Sequence, residues 1–143
     1  STMSVIRFDY TPEVFINPKT QKVNYIYRPL IDIRLCYKHN FGKNLVGCLL
    51  DSGADKNLFP ASWGESVNIK IKRGELVHHY GIGDKDISAY RHKIKLYVVP
   101  YYFETYTDFS FEQDFPLLGR EGFFKYFRQI IFNEKGRFVN LEY

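Results

Sequence analysis

The chain has 143 residues, of which 45% are apolar and 25% charged, enough for one globular domain with a core but scarcely for two. Aromatic residues make up 18% of the sequence and pack well on pleated surfaces, so we expect an all-β protein. The net charge is +4, but the basic residues are scattered, which favours solvated strand faces and no nucleic-acid partner. No apolar run reaches the roughly 18 residues of a membrane-spanning helix, so we expect no membrane partner either.

The first half of the chain reads as strands joined by turns, because apolar and polar residues alternate between clusters of turn-forming residues. The predicted elements are an edge hairpin at 4–27, a half-buried strand at 29–37, an apolar strand at 45–50 and a short helix within 58–69. The hairpin would turn at Asn17-Pro18. The helix would begin near Pro60, since proline suits a first helical turn.

The second half continues the β pattern and adds one helix. The predicted elements are a projecting hairpin at 75–100, a strand and loop at 101–114, a short buried strand at 115–119, a helix at 120–130 and a closing hairpin at 130–143. Glycines at 81 and 83 supply the backbone freedom of the first hairpin's tip. The helix is predicted because Phe123, Phe124 and Phe127 recur at helical spacing.

The two cysteines, Cys36 and Cys48, flank a predicted hairpin and lack the spacing of a metal-binding pair. We expect reduced thiols and a cytoplasmic protein, because neither a secretory signal sequence nor the cysteine density of small secreted domains is evident. A cross-strand disulfide is the alternative.

The stretch CLLDSGAD places Asp51 directly after an apolar strand, where a carboxylate is costly to desolvate unless a partner or a reaction accounts for it. Capping a turn or the following helix is one such account. Two further motifs follow in order, Gly-Ile-Gly at 81–83 and FPLLGREGFF at 115–124.

Together these three ordered motifs resemble those of the retropepsin-like aspartic proteases over roughly residues 29–132, and the LLGREGFF form is similar to bacterial members in particular. The resemblance implies a retropepsin-like closed barrel with one short C-terminal helix and one lobe per chain. Residues 1–28 lie outside the resemblance, and we expect them to form an N-terminal extension with edge strands ahead of a protease domain at 29–143.

Hydrolysis of a peptide without a metal or a covalent intermediate needs one group to activate water and another to protonate the carbonyl oxygen. Two close carboxylates that share a proton do both. Because the chain holds one Asp-Ser-Gly, we expect a homodimer in which Asp51 meets its symmetry mate. The predicted function is an aspartic endopeptidase that acts on a polypeptide and needs no cofactor and no metal.

By the same resemblance, the residues around Asp51 acquire roles. Ser52 would join the two active-site loops beneath the aspartates, and Gly53 would let the backbone donate to the carboxylate. The residues expected to contact substrate are Ala54, Asp55, Gly81, Ile82 and Gly83, the last three as the tip of a flap that closes over the peptide.

The resemblance also implies that Asp55 and Arg120 form a bidentate, largely buried ion pair that braces the site, and two independent surface charges are the alternative. The flap tip departs from the family pattern, because Asp84 stands where a second glycine is common.

Two other functions compete with the protease. One is a catalytically silent, dimeric peptide-binding or scaffolding module of the same fold, and the other is a basic binder of single-stranded nucleic acid. His78 and His79 are neighbours on a strand and face opposite ways, which argues against a shared metal. Ser52 lacks the Gly-x-Ser-x-Gly setting of a serine hydrolase.

Overall fold

A computed structural model describes residues 3–82 and 85–143 of the chain. The strands are β1 (Val5–Asp9), β2 (Thr11–Ile16), β3 (Val23–Arg28), β4 (Leu30–Tyr37), β5 (Asn40–Leu50), β6 (Asn57–Pro60), β7 (Glu75–Ile82), β8 (Lys85–Val98), β9 (Tyr101–Ser110), β10 (Leu117–Leu118), β11 (Gln129–Asn133) and β12 (Phe138–Glu142). The helical elements are α1 (Ala61–Glu65) and two 3-10 helices, Ile71–Arg73 and Phe124–Tyr126. The prediction of an all-β fold is confirmed.

The main sheet has seven strands in the order β4-β5-β10-β6-β9-β8-β7, and a further pairing of β4 with β8 makes it ring-like. Alternation along the strands explains the interior. Ile31, Ile33 and Leu35 of β4 are at most 1% exposed, and the polar residues between them face outward or lie half-buried. Burying each such side chain contributes roughly 1.5–3 kcal/mol.

A second, three-stranded sheet joins the two ends of the chain. β1 and β11 both pair with β12, and Ile6 and Phe8 of β1 pack against the main core. The hairpin expected at 4–27 is therefore shorter, because β1 takes a distant partner and only β2 and β3 pair with each other. The turn at Asn17-Pro18 is confirmed, with the Asn17 side chain accepting from the amides of Lys19 and Thr20. The division of the chain at residue 29 stays a prediction.

The helix predicted at 120–130 is corrected by the structure, whose α-helix among the described residues is α1, starting next to Pro60 as predicted. Near the C terminus only the 3-10 helix Phe124–Tyr126 forms, because Phe123 has φ −141° and ψ −59° and breaks the helical path. The Phe123 ring is fully buried, 4.9 Å from that of Phe127. The phenylalanine spacing therefore reflects core packing from a series of turns.

Cys36 and Cys48 are both buried and both free. They stand on different rungs of the β4–β5 ladder, opposite Phe41 and Ile31, so the alternative of a cross-strand disulfide is wrong. Burial raises the pKa of the Cys48 thiol. Within residues 3–82 and 85–143, no helix combines the length and the apolar character needed to span a bilayer.

Candidate active site

Asp51 lies where β5 ends, held by the short strand β10. β10 runs parallel to β5, with Leu118 opposite Leu50, and the Asp51 amide donates to the Leu118 carbonyl at 3.0 Å. Leu117 also pairs with Leu58 of β6, so β10 is fixed on both edges. This arrangement positions the start of the Asp-Ser-Gly loop from the centre of the sheet.

The Asp51 carboxylate is half-buried and is bound by its own loop. Its Oδ1 accepts a hydrogen bond of 2.9 Å from the Gly53 amide, and the Ala54 amide donates to the Asp51 carbonyl. A Cβ atom at position 53 would lie 3.2 Å from the same Oδ1, so glycine permits this close approach. Ser52 is exposed in the single chain.

The Asn57 side chain connects this loop to the turn that begins at Gly119-Arg120, and sequence reasoning missed this residue. The side chain is fully buried; its Nδ2 donates to the Gly122 carbonyl at 2.8 Å and to Thr107 Oγ1 at 3.3 Å. Its Oδ1 accepts from the Gly119 amide at 3.1 Å. One amide side chain thus connects three segments that lie far apart in sequence.

The ion pair predicted between Asp55 and Arg120 is corrected. Both side chains are exposed, and the ion pairs found among the described residues do not include one between them. The two segments are linked by main chain instead: Arg120 N donates to Ala54 O at 2.8 Å and Glu121 N to Asp55 O at 2.7 Å. Because these backbone hydrogen bonds and the Asn57 side chain already hold the two segments together, the charged groups of Asp55 and Arg120 remain in solvent.

A β-hairpin lies beside the Asp51 loop. β7 and β8 pair in antiparallel register, with Val77 opposite Ala89 and an irregularity between His79 and Ile82. Gly81 has φ +81°, a conformation that favours glycine. The predicted tip residue Gly83 lies outside the described residues.

A cavity of about 700 Å³, which we call the cleft, brings these parts together. The loop after β5 contributes Asp51, Gly53, Ala54, Asp55 and Lys56. The hairpin contributes His78, His79, Tyr80, Gly81 and Arg91, and apolar surface comes from Leu49, Leu58, Phe115 and Leu117. The cleft is therefore lined by five of the predicted site residues. Four come from the first motif, Asp51, Gly53, Ala54 and Asp55, and one, Gly81, comes from the second.

Comparison with solved structures identifies the architecture. The chain matches the crystal structure of a retropepsin-like aspartic protease from Rickettsia conorii with a TM-score of 0.60 at 12% sequence identity, over 100% of this chain and 95% of that one. The fold is retropepsin-like. A second match is the EIAV protease complexed with the inhibitor HBY-793, with a TM-score of 0.49, 16% identity and coverage of 66% of this chain and 83% of that one. No protein-family model and no curated protein sequence matches.

One further group in this retropepsin-like chain is a buried carboxylate on β9. Asp108 is 1% exposed and is bound by Arg91, whose Nε and Nη2 donate to its two oxygens at 2.8 and 3.0 Å, and by His79 Nε2 at 2.7 Å. Burial pushes the pKa of Asp108 upward, but the hydrogen bonds and charges of His79 and Arg91 outweigh it and hold the pKa below the usual value. Asp108 is therefore ionised, and Arg91 compensates its negative charge beside the cleft.

The two adjacent histidines point to different partners, since His79 binds Asp108 while the His78 ring lies 6.2 Å from that of Tyr80. The described part of the chain holds no cluster of three or more side chains suited to a metal ion.

Sequence reasoning also missed Asp108, although an acid among apolar strand residues is the same signal that singled out Asp51.

Proposed function

We propose that this protein is an aspartic endopeptidase that acts as a C2 homodimer, with Asp51 of each subunit forming the catalytic pair. The observation that carries the proposal is that the half-buried Asp51 lines one cleft together with the β7–β8 hairpin, in a retropepsin-like fold. Each chain supplies one Asp-Ser-Gly, so the second carboxylate has to come from a second copy.

The chemistry follows from two carboxylates at close range, which hold one proton between them because both cannot ionise. The ionised member takes a proton from the attacking water, and the protonated member gives its proton to the carbonyl oxygen of the peptide. The aspartic acid that took the water proton then gives it to the leaving nitrogen, and its ionised partner accepts a proton from a hydroxyl of the tetrahedral diol. The C–N bond breaks, and the dyad is left with its one shared proton.

The surrounding loop supports this role. The Gly53 amide binds Asp51 Oδ1, which leaves Oδ2 available for the shared proton and the water. In the dimer, the exposed Ser52 hydroxyl would link the two loops, as the family resemblance implies. The residues proposed to bind the main chain of an extended polypeptide are Ala54, Asp55, Gly81, Ile82 and Gly83.

The test is cleavage of a peptide library by purified protein between about pH 4 and pH 7, read by mass spectrometry, with Asp51→Asn as the decisive variant. Asp32→Asn is the matched control, because Asp32 is exposed on β4 and is not among the described residues that line the cleft. We expect cleavage by the wild type and the control and none by Asp51→Asn. Cleavage that persists in Asp51→Asn refutes the mechanism, and a dimer that binds peptides without cutting them is the silent module instead.

A further inference from the structure

We propose that the cleft carries a recognition subsite for an acidic side chain of the peptide, formed by Arg91 and His79 and held in place by buried Asp108. This inference rests on the proposed protease function, because the subsite would select the peptides that the enzyme cleaves. It assigns a substrate class, since it selects peptides with aspartate or glutamate near the cut.

The first step of the argument is the rigidity of the arginine. Arg91 and Asp108 are cross-strand partners on β8 and β9, and a bidentate bond fixes the guanidinium against a carboxylate that is 1% exposed. An arginine side chain held in this way loses little further conformational freedom when it binds a ligand. The Asp108 carboxylate therefore orients Arg91 before any peptide arrives.

The second step concerns the donors that remain. A guanidinium has five N–H groups, and Asp108 engages two of its nitrogens through one bond each. The Arg91 side chain keeps 25% of its surface exposed and lines the cleft, so its outer N–H groups can reach a bound peptide. A carboxylate is the acceptor that matches this planar set of donors best.

The third step is the balance of charge around Arg91. His79 is bound to the same Asp108 through Nε2 and is 15% exposed at the cleft, so a second polar side chain stands beside the guanidinium. Lys56 also lines the cleft, and the carboxylates that line it, Asp51 and Asp55, lie in the loop after β5 and not on the hairpin that carries Arg91. Glu75, opposite Arg91 on β7, is exposed and its charge also acts on Arg91, but it lines a neighbouring cavity with Arg91 and not the cleft.

Apolar side chains line another part of the cleft. Leu49, Leu58 and Leu117 line it, and Leu58 and Leu117 belong to a small apolar cluster with Ala89 beneath the β7–β8 hairpin. Apolar side chains of a peptide fit that surface by burial. In a C2 dimer each subunit contributes one Arg91, so the acidic preference should recur at symmetric positions on both sides of the cut.

The experiment compares peptides that share a cleaved apolar core and differ in Glu, Gln or Leu at each flanking position in turn. For wild-type protein we expect kcat/KM for Glu to exceed that for Gln by roughly tenfold at the responsive positions, as for hydrogen bonds to charged groups. Arg91→Gln/Asp108→Asn replaces the ion pair by neutral amides and should reduce the ratio to about twofold or less. The control Lys95→Gln removes an exposed cation from the same strand and should keep the full ratio.

Folding of the double variant is checked by circular dichroism and thermal unfolding. If it does not fold, Arg91→Lys keeps a cation beside Asp108 but loses the planar fork, and the ratio should fall to about threefold. A preference for Glu that is unchanged in a folded Arg91 variant overturns the subsite. Equal kcat/KM for Glu and Gln at every position also overturns it, while leaving the protease proposal intact.

A binding experiment separates the subsite from catalysis. Fluorescent Glu and Gln versions of the peptides are titrated with Asp51→Asn protein, which retains the cleft but lacks the proposed reactive pair. We expect roughly tenfold tighter binding of the Glu peptide, lost when Arg91→Gln/Asp108→Asn is added. If no peptide is ever cleaved but this selectivity is found, only the protease function fails. Equal affinities in the Asp51→Asn background overturn the subsite.

Discussion

Replacing Asn57 by alanine should both destabilise the protein and displace the Asp51 loop. The substitution removes two donated bonds, to Gly122 O at 2.8 Å and Thr107 Oγ1 at 3.3 Å, and one accepted bond from Gly119 N at 3.1 Å. The Gly122 carbonyl keeps its bond from Thr105 Oγ1 at 2.7 Å, but the buried Gly119 amide loses its partner. Three net bonds of about 1 kcal/mol each give a loss of about 3 kcal/mol in the free energy of unfolding.

The assay is urea unfolding at fixed protein concentration, followed by circular dichroism, with the midpoint and slope fitted together. Asn24→Ala is the matched control, since Asn24 is exposed on β3, and it should change the free energy of unfolding by less than about 0.5 kcal/mol. A loss below about 1 kcal/mol for Asn57→Ala would refute the reasoning about buried bonds. Unchanged kcat in the folded variant would refute the claim that Asn57 positions the Asp51 loop.

Three further predictions test other parts of the structure. Asp108→Asn should lower the free energy of unfolding by about 3 kcal/mol at neutral pH, because a buried ion pair is broken. The pKa of Asp108 is lower in the folded protein than the unfolded value of about 3.9, so its contribution to the free energy of unfolding is present above that value and is lost as the pH falls through the folded pKa. Urea midpoints measured at decreasing pH should therefore converge for the variant and the wild type. Gly119→Ala should cost more than about 2 kcal/mol in the same assay, because its Cβ would lie 2.5 Å from the Lys56 carbonyl, and a near-neutral result would contradict that geometry. Arg120→Met should change the free energy of unfolding by less than about 0.5 kcal/mol, as for a solvated charge. A large loss would instead support the ion pair with Asp55 that the sequence predicted.

Local patterns carried much of the fold. The alternation in 30–37 and the glycines near 81 predicted β4 and the β7–β8 hairpin, because a strand's two faces and a turn's backbone needs are properties of neighbouring residues. The C-terminal helix was wrong because Phe123, Phe124 and Phe127 have a spacing that fits both a helix and a series of buried turns. Only the position of the surrounding core decides between the two.

The site was predictable where it is contiguous and hidden where it is assembled from distant segments. Asp51 and its loop were singled out from one motif, whereas the partners of Asn57 lie 50 to 65 residues away along the chain. Arg91 and His79 reach Asp108 across 17 and 29 residues. Such contacts depend on the strand order of the sheet, which periodicity does not specify.

The most direct test of the central claim mixes wild-type and Asp51→Asn chains at constant total concentration, co-refolds them so that subunits exchange, and measures the rate of peptide cleavage. If one Asp51 from each of two chains forms the catalytic pair, mixed dimers are inactive, and an equal mixture should retain about a quarter of the wild-type rate. If each chain acted alone, the same mixture would retain about half, and that result would contradict the account.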